Sequence, residues 1–178
     1  MTTTTTTDAR FTVDDYMALP EGFPAQLIEG GFVKEPAPTW RHQGVVIRLV
    51  TRLCAVAGEH RVLVSPADLI LDRWNVLQPD VLVFAEDISG EDARGARAKG
   101  VLPVLVAEVL SPGTQDRDRG VKCAAYLRAG IAEVWIVDPD AGEIEIRTLT
   151  GTTRHRAADE AVSQVVPGFR VSWQSLAE

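Results

Sequence analysis

Two near-continuous apolar runs constrain this chain more than any other feature: Val81-Leu82-Val83-Phe84 and Val104-Leu105-Val106-Ala107. A strand with one solvated face alternates apolar and polar residues, whereas a strand covered on both faces does not. The two runs therefore predict strands sandwiched between helical layers in an α/β fold. Each has an ionisable residue at its edge. Asp80 opens the first, in QPDVLVFAE, Glu108 closes the second, in PVLVAEV, and Lys122 follows further along the chain.

An ionised side chain at the end of a buried strand needs a partner or a metal. Two carboxylates on neighbouring strands repel each other, and Mg²⁺ relieves this by taking oxygen ligands from one or two carboxylates while keeping waters of its own. Plainer readings stand beside this one. Asp80 could be satisfied by backbone amides at a strand start, Glu108 by a salt bridge to Lys122 without chemistry, and Lys122 could be a helix-surface lysine. A Pro-Asp pair alone carries little weight, because Pro139-Asp140 is a second one, in the composition of a solvent turn before Gly142.

A length of 178 residues suits one domain, with residues 1–10 as a polar tail and 11–178 as the folded part. The tail, MTTTTTTDAR, lacks the cationic start and apolar segment of a secretory signal, and no apolar stretch approaches the roughly 20 residues of a membrane span. A soluble, cytoplasmic protein is expected. Cys54 and Cys123 have no CxxC spacing, which argues against zinc and against a disulfide framework, and leaves buried thiols. The net charge of −7 opposes nucleic-acid binding through the field of the whole molecule, so any such contact must be local. Arg94, Arg97 and Lys99, or Arg41, Arg48 and Arg52 on a predicted helix, could face phosphates; solvated surface is the competing reading.

Along the chain, Thr12 can cap a helix that Pro20 and Gly22 stop. Gln26 to Glu29 run into Gly30-Gly31 and Phe32 to Lys34 leave it, the pattern of a hairpin. From His42 to about Ala57, Val45, Val46, Leu49, Val50, Leu53 and Cys54 recur at helical spacing and Gly58 closes the run. Short β segments are expected over Arg61–Ser65 and Asp68–Leu71, and a surface loop or lid over Glu86–Gly100. Gln115–Ala129 predicts a helix whose buried stripe is Gly120, Cys123, Ala124 and Leu127, with Arg119, Lys122 and Tyr126 sharing another face. Strands follow at Glu133–Val137 and Glu143–Thr148, the latter with clean alternation, then a short β segment and a helical turn from Ser172.

Two further residues bear on a site. Glu29 could add a third carboxylate or simply belong to the hairpin, and His42 reads as a helix-start or hydrogen-bonding histidine before it reads as a catalyst. No Ser/His/Asp arrangement and no phosphate-cradling glycine loop is present, and Ser111 lacks the GxSxG context of a hydrolase elbow.

The blocks FTVDDYMALPEG, QLIEGG, the H-x-x-V helix start at His42, QPDVLVF, AEVLSPGT, DRDRGVKCAAY and GIAEVWIVDP occur in that order. In these the chain, from Phe11 to about Phe169, resembles the Uma-two-type family of restriction-endonuclease-like proteins within the PD-(D/E)XK nuclease superfamily. The resemblance implies a restriction-endonuclease-like core, a mixed β-sheet flanked by α-helices, with an acidic site across a central hairpin-like strand pair. It makes Asp80 the PD aspartate and Glu108 the D/E residue. The superfamily lysine stands two residues after that acid, but Leu110 occupies the position, so Lys122 would supply the amine from the next helix, four residues before Tyr126. Gln26 stands where the family usually has glutamate, a poorer metal ligand, while Glu29 matches the acidic position before the glycine.

The implied chemistry is phosphodiester hydrolysis, with DNA as substrate. Asp80, Glu108 and the Val109 carbonyl would hold Mg²⁺ or Mn²⁺, while Lys122, with Tyr126 beside it, would orient water or neutralise charge. A homodimer is compatible with such a fold, and no membrane is involved. The rival reading is a non-catalytic oligomeric binding or regulatory module on the same fold, favoured by the acidic net charge and Gln26.

Overall fold

Thr12 and Asp15 start the first helix, α1 (Val13–Met17), as a reciprocal capping box in which the Thr12 amide donates to the Asp15 carboxylate at 2.7 Å and the Asp15 amide to the Thr12 hydroxyl. The structure, a computed structural model, describes residues 10–20, 22–34 and 36–178, so the polar tail expected over 1–10 lies outside it apart from Arg10. A hairpin of β1 (Ala25–Ile28) and β2 (Gly31–Lys34) follows. Its loop is Glu29-Gly30 rather than the expected Gly30-Gly31: Ile28 pairs with Gly31, and both loop residues have positive φ, 50° and 81°. That is the backbone a two-residue type I′ turn requires.

Helix α2 (Trp40–Ala57) begins two residues before His42, because the Thr39 hydroxyl accepts the His42 amide and caps it. Strands β3 (Val62–Val64), β4 (Leu69–Ile70), β5 (Val76–Leu77) and β6 (Val81–Val83) lead to α3 (Ala93–Ala98) and β7 (Leu105–Val109). The segment expected as a loop, Glu86–Gly100, thus contains a short helix whose start is capped by the Asp92 carboxylate. Strand β5 has only two residues, too few to show alternation.

Beyond β7 the chain forms α4 (Gln115–Arg117), a π-helical turn over Asp118–Lys122 and α5 (Cys123–Ala129). It continues through β8 (Glu133–Asp138), β9 (Glu143–Thr148), β10 (Gly151–Arg156), β11 (Glu160–Val162), β12 (Arg170–Ser172) and α6 (Trp173–Ala177). The expected tail of one β segment and one helical turn is therefore richer: β10 pairs with β9 over its whole length and β11–β12 form a hairpin. The Ser172 cap of the last helix is as expected.

The main sheet runs β10-β9-β8-β7-β6-β3, and a smaller one runs β2-β1-β5-β4. Only β7 and β8 are parallel, and the helical segment between them supplies the crossover that a parallel pair needs. The main sheet is mixed and flanked by helices on both faces. On one face Val81, Val83, Ala107 and Trp135 pack on Val45, Leu49 and Leu53 of α2. On the other, Leu82, Val106 and Ile136 meet Cys123, Ala125 and Tyr126 of α5. This two-sided covering is why the apolar runs do not alternate; each fully buried aliphatic side chain contributes about 1.5–3 kcal/mol. Among the described residues no helix is long and apolar enough to cross a membrane.

Two sequence expectations give way here. In the helical segment after β7, Gly120 and Ala124 are exposed and Leu127 only half-buried, while Asp118, Lys122, Cys123, Ala125 and Tyr126 are buried. The wide π turn rotates the helix relative to an ideal 3.6 period, and the face turned inward is the one that carries charge. In β9, Glu143 and Glu145 are as buried as Ile144 and Ile146, because Arg119, Arg147 and Arg156 reach over the sheet to pair with them.

Asp138 ends β8 and holds the turn after it. Its carboxylate accepts the Asp140 and Ala141 amides at 2.9 Å each and the Arg119 guanidinium at 2.6 Å. Burial alone would raise its pKa, but the Ala141 and Asp140 amides and Arg119 outweigh that and hold it below the ordinary carboxylate value. A depressed carboxylate stabilises the fold above its unfolded pKa and loses that contribution as pH falls through the folded one. Asp138→Asn is therefore expected to cost on the order of 1 kcal/mol at neutral pH, a modest figure because the amide oxygen of an asparagine can still accept the Asp140 and Ala141 amides. Urea titrations should show the difference shrinking below about pH 4; a gap that stays constant down to acid pH would contradict this account.

Candidate functional site

Val81 pairs with Ala107 and Val83 with Leu105 in the antiparallel β6–β7 ladder, and the same register carried one step outward sets Asp80 opposite Glu108. Residues opposite each other in such a ladder share a face. Both carboxylates line one cavity, of about 290 Å³, at that end of the sheet. Pro36 and Pro38 before α2, His42 in its first turn, and Ser111, Thr114, Asp118 and Lys122 after β7 complete the walls.

Asp80 closes the strand pair with its side chain: Oδ2 accepts the Val109 amide at 2.7 Å and lies 3.0 Å from His42 Nε2. Glu108 is held from behind, where Tyr126 donates its hydroxyl to Oε1 at 2.5 Å and Lys122 Nζ stands 2.7 Å from the same oxygen. Lys122 also reaches Asp118 Oδ1 at 3.0 Å, and its side chain is only 3% exposed. Each strand carboxylate thus makes its hydrogen bonds through one oxygen. Among the described residues no hydrogen bond reaches the other oxygen of either carboxylate, and both residues line the cavity.

Burial pushes the Glu108 carboxyl up to about 8; Lys122 opposes this, and the charges of Asp118 and Asp80 reinforce it. Burial would lower the Lys122 ammonium, yet Glu108 and Asp118 around it hold it above its ordinary value. The ammonium is thus the persistent charge of the cluster. Burial also opposes a charged His42, but the hydrogen bond and charge of Asp80, with Asp118 beyond, raise its pKa. His42 Nδ1 is the one buried side-chain polar atom with no partner among the described residues.

Of the residues singled out in the sequence, Asp80, Glu108, Val109 and Lys122 come together in the cavity. Lys122 is not a solvent-facing lysine. Tyr126 is fully buried behind Glu108, so its hydroxyl orients that carboxylate and not a phosphate. Glu29 does not join them: it sits in the hairpin loop with its side chain 58% exposed, 3.9 Å from Arg128. Gln26, on the strand before that loop, is the residue that lines the cavity, and its side-chain oxygen accepts the Gln78 amide at 2.8 Å. Leu110 packs in the core, so no amine reaches the cavity from that position.

Two cavity residues escaped the sequence reading. Asp118 pairs with Lys122, and the spacing Asp118-Lys122-Tyr126, four residues each time, was the signal that could have found it. His42 read as a hydrogen-bonding histidine, which it is, but nothing local tied it to Asp80.

The donor set bears on which cation could fit. No group of three or more His, Cys, Asp or Glu poised to hold a metal occurs among the described residues. Structural zinc takes four nitrogen or sulfur ligands and catalytic zinc three protein ligands, so the cavity does not suit it. Two carboxylates lining one cavity, with Val109, Ser111 and Thr114 in its walls, offer oxygen and no sulfur, which suits a hard cation that keeps most of its waters.

A mixed sheet whose central antiparallel pair presents two carboxylates to one cavity, with a lysine from the following helix, defines a restriction-endonuclease-like protein. The chain belongs to the Uma2 family, described as "Putative restriction endonuclease", whose profile matches residues 13–177. Its fold is similar to that of a solved protein described as a "putative nuclease belonging to DUF820" from Anabaena variabilis ATCC 29413, with a TM-score of 0.73 and 22% identity over 94% of this chain and 97% of that one. No curated protein matches the chain.

Proposed function

We propose that the cavity is the active site of a metal-dependent endonuclease that hydrolyses phosphodiester bonds in DNA. The observation that supports this best is the register of β6 and β7, which sets Asp80 against Glu108 with Lys122 beside them. Asp80, Glu108 and the Val109 carbonyl would hold Mg²⁺ or Mn²⁺. Such an ion, when bound, polarises a phosphoryl oxygen and lowers the pKa of a water.

The remaining groups act by position. Tyr126 fixes Glu108, and His42 with the Val109 amide fixes Asp80, so neither carboxylate must reorganise to bind. An ammonium has three donors. Glu108 and Asp118 engage two of those on Lys122, which leaves one for an attacking water or for charge developing on phosphate.

A non-catalytic module remains the second reading, because Asp80 and Glu108 both have protein partners without any cation. The experiment is direct. Purified protein should nick supercoiled plasmid with Mg²⁺ or Mn²⁺ and stop in chelator, and Glu108→Gln should weaken Mn²⁺ binding measured by calorimetry about tenfold or more, as losing a charged ligand does. Absence of nicking with either ion, together with Mn²⁺ affinity unchanged by Glu108→Gln, would leave the binding module as the answer.

A further inference from the structure

A second cleft, of about 370 Å³, lies between the start of α2 and α6. Trp40, Gly44 and Arg48 follow one another at intervals of four and so share a helix face toward it. The Trp40 ring is 95% exposed, so the fold gains almost nothing from it. Glycine is a poor helix former, and here its lack of a side chain has a use: a Cβ on Gly44 would lie 3.0 Å from Arg48 Nη1. The gap lets Arg48 lie back along the helix toward Trp40. Arg48 has no carboxylate partner among the described residues, whereas neighbouring Arg41 is held by Asp140 at 2.6 Å. Trp173 and Leu176 form the opposite wall.

From this arrangement we propose that the cleft is a subsite for a nucleic-acid strand, in which Trp40 stacks on an unpaired base and Arg48 receives a phosphate; it rests on the nuclease reading of the cavity of Asp80 and Glu108. Trp40 is two residues from both Pro38 and His42, which line that cavity, so the indole stands at the same end of α2, about half a helical turn round from His42. The chemistry matches as well, since any base has a face to stack on and an unpaired guanidinium suits a phosphate. The competing occupant is a second copy of this chain, seated on Trp40 and on Ile47, which is 63% exposed. The cores of interfaces between copies are depleted in charge, and such a contact would cover Arg48 without offering it a carboxylate from this face.

The test measures binding in chelator, where no cleavage occurs, by fluorescence anisotropy of a labelled oligothymidylate strand and of a duplex of equal length. Trp40→Ala should weaken the single strand roughly five- to hundredfold, with Trp40→Phe retaining most of the affinity. Arg48→Met should weaken it too and flatten the salt dependence. Melting temperatures should not move for the Trp40 variants, since the ring touches so little. Wild-type affinity in both Trp40→Ala and Arg48→Met would overturn the subsite and leave the nuclease reading intact; failure of the wild type to bind either nucleic acid would count against both. A dimer in sedimentation velocity that Trp40→Ala converts to monomer, with strand affinity unchanged, would assign the cleft to a second copy and end the proposal.

Discussion

Lys122→Met is expected to destabilise the protein by about 3–5 kcal/mol, the usual cost of breaking a buried ion pair from one side. A solvent-facing lysine would cost within about 0.5 kcal/mol. The difference follows from placement: the ammonium stands 2.7 Å from Glu108 and 3.0 Å from Asp118, with 3% of its side chain exposed. Without it Glu108 and Asp118 lose the charge that opposes burial, and the Glu108 carboxyl, pushed up to about 8 even with Lys122 in place, rises further. Loss of the ammonium also removes the donor proposed for the attacking water or the charge developing on phosphate, so cleavage should fall as well, by about a hundredfold or more per folded molecule. Urea denaturation and single-turnover cleavage at a temperature where the variant is folded separate the two effects. Lys122→Met with Glu108→Gln should regain part of the stability, since one of the two carboxylates left without the ammonium is gone, yet no activity. A destabilised Lys122→Met protein that cleaves as fast as wild type would reduce the lysine to a structural ion.

Asp80→Ala should give the opposite profile, with little loss of fold and nearly complete loss of cleavage. The carboxylate is at the strand end, and its removal leaves the Val109 amide and His42 Nε2 without their acceptor, a cost of about 1–3 kcal/mol. Losing a preorganised electrostatic contact of this kind lowers a rate by ~10²–10³. The melting temperature should therefore fall by only about 2–4 °C per kcal/mol, leaving the variant folded at assay temperature, while plasmid nicking with Mn²⁺ separates the two proteins. Equal nicking by wild type and Asp80→Ala preparations would trace the activity to a contaminant.

Much of this architecture was legible in the chain. Apolar runs without alternation announced strands covered on both faces, because periodicity is a local property that burial writes directly into sequence. Val81–Val83 and Leu105–Val109 lie where the runs put them, and Thr12 marks a helix start through hydrogen bonds that span three residues, whereas the Thr39 cap starts α2 two residues before the expected His42. The carboxylates were visible for the same reason: a charge beside a buried run costs too much to be there without a partner.

Tertiary structure decided which partners those were. Asp80 meets His42 across 38 positions and Tyr16 meets Asp68 across 52, contacts that no local spacing encodes. The helical segment after β7 packs with the Asp118-Lys122-Tyr126 side against the sheet, and that packing makes Lys122 the buried partner of Glu108 and not a surface lysine. Glu29 and Gln26 show the same division. Both are polar residues beside an apolar pair, and the strand ladder fixes which one is seen by the cavity: Gln26 pairs opposite Val33 within β1, while Glu29 has passed into the turn. Sequence determined where charge sits next to buried strands, because desolvation acts on each residue where it stands; register and helix orientation determined which charges meet, because those depend on how distant segments pack.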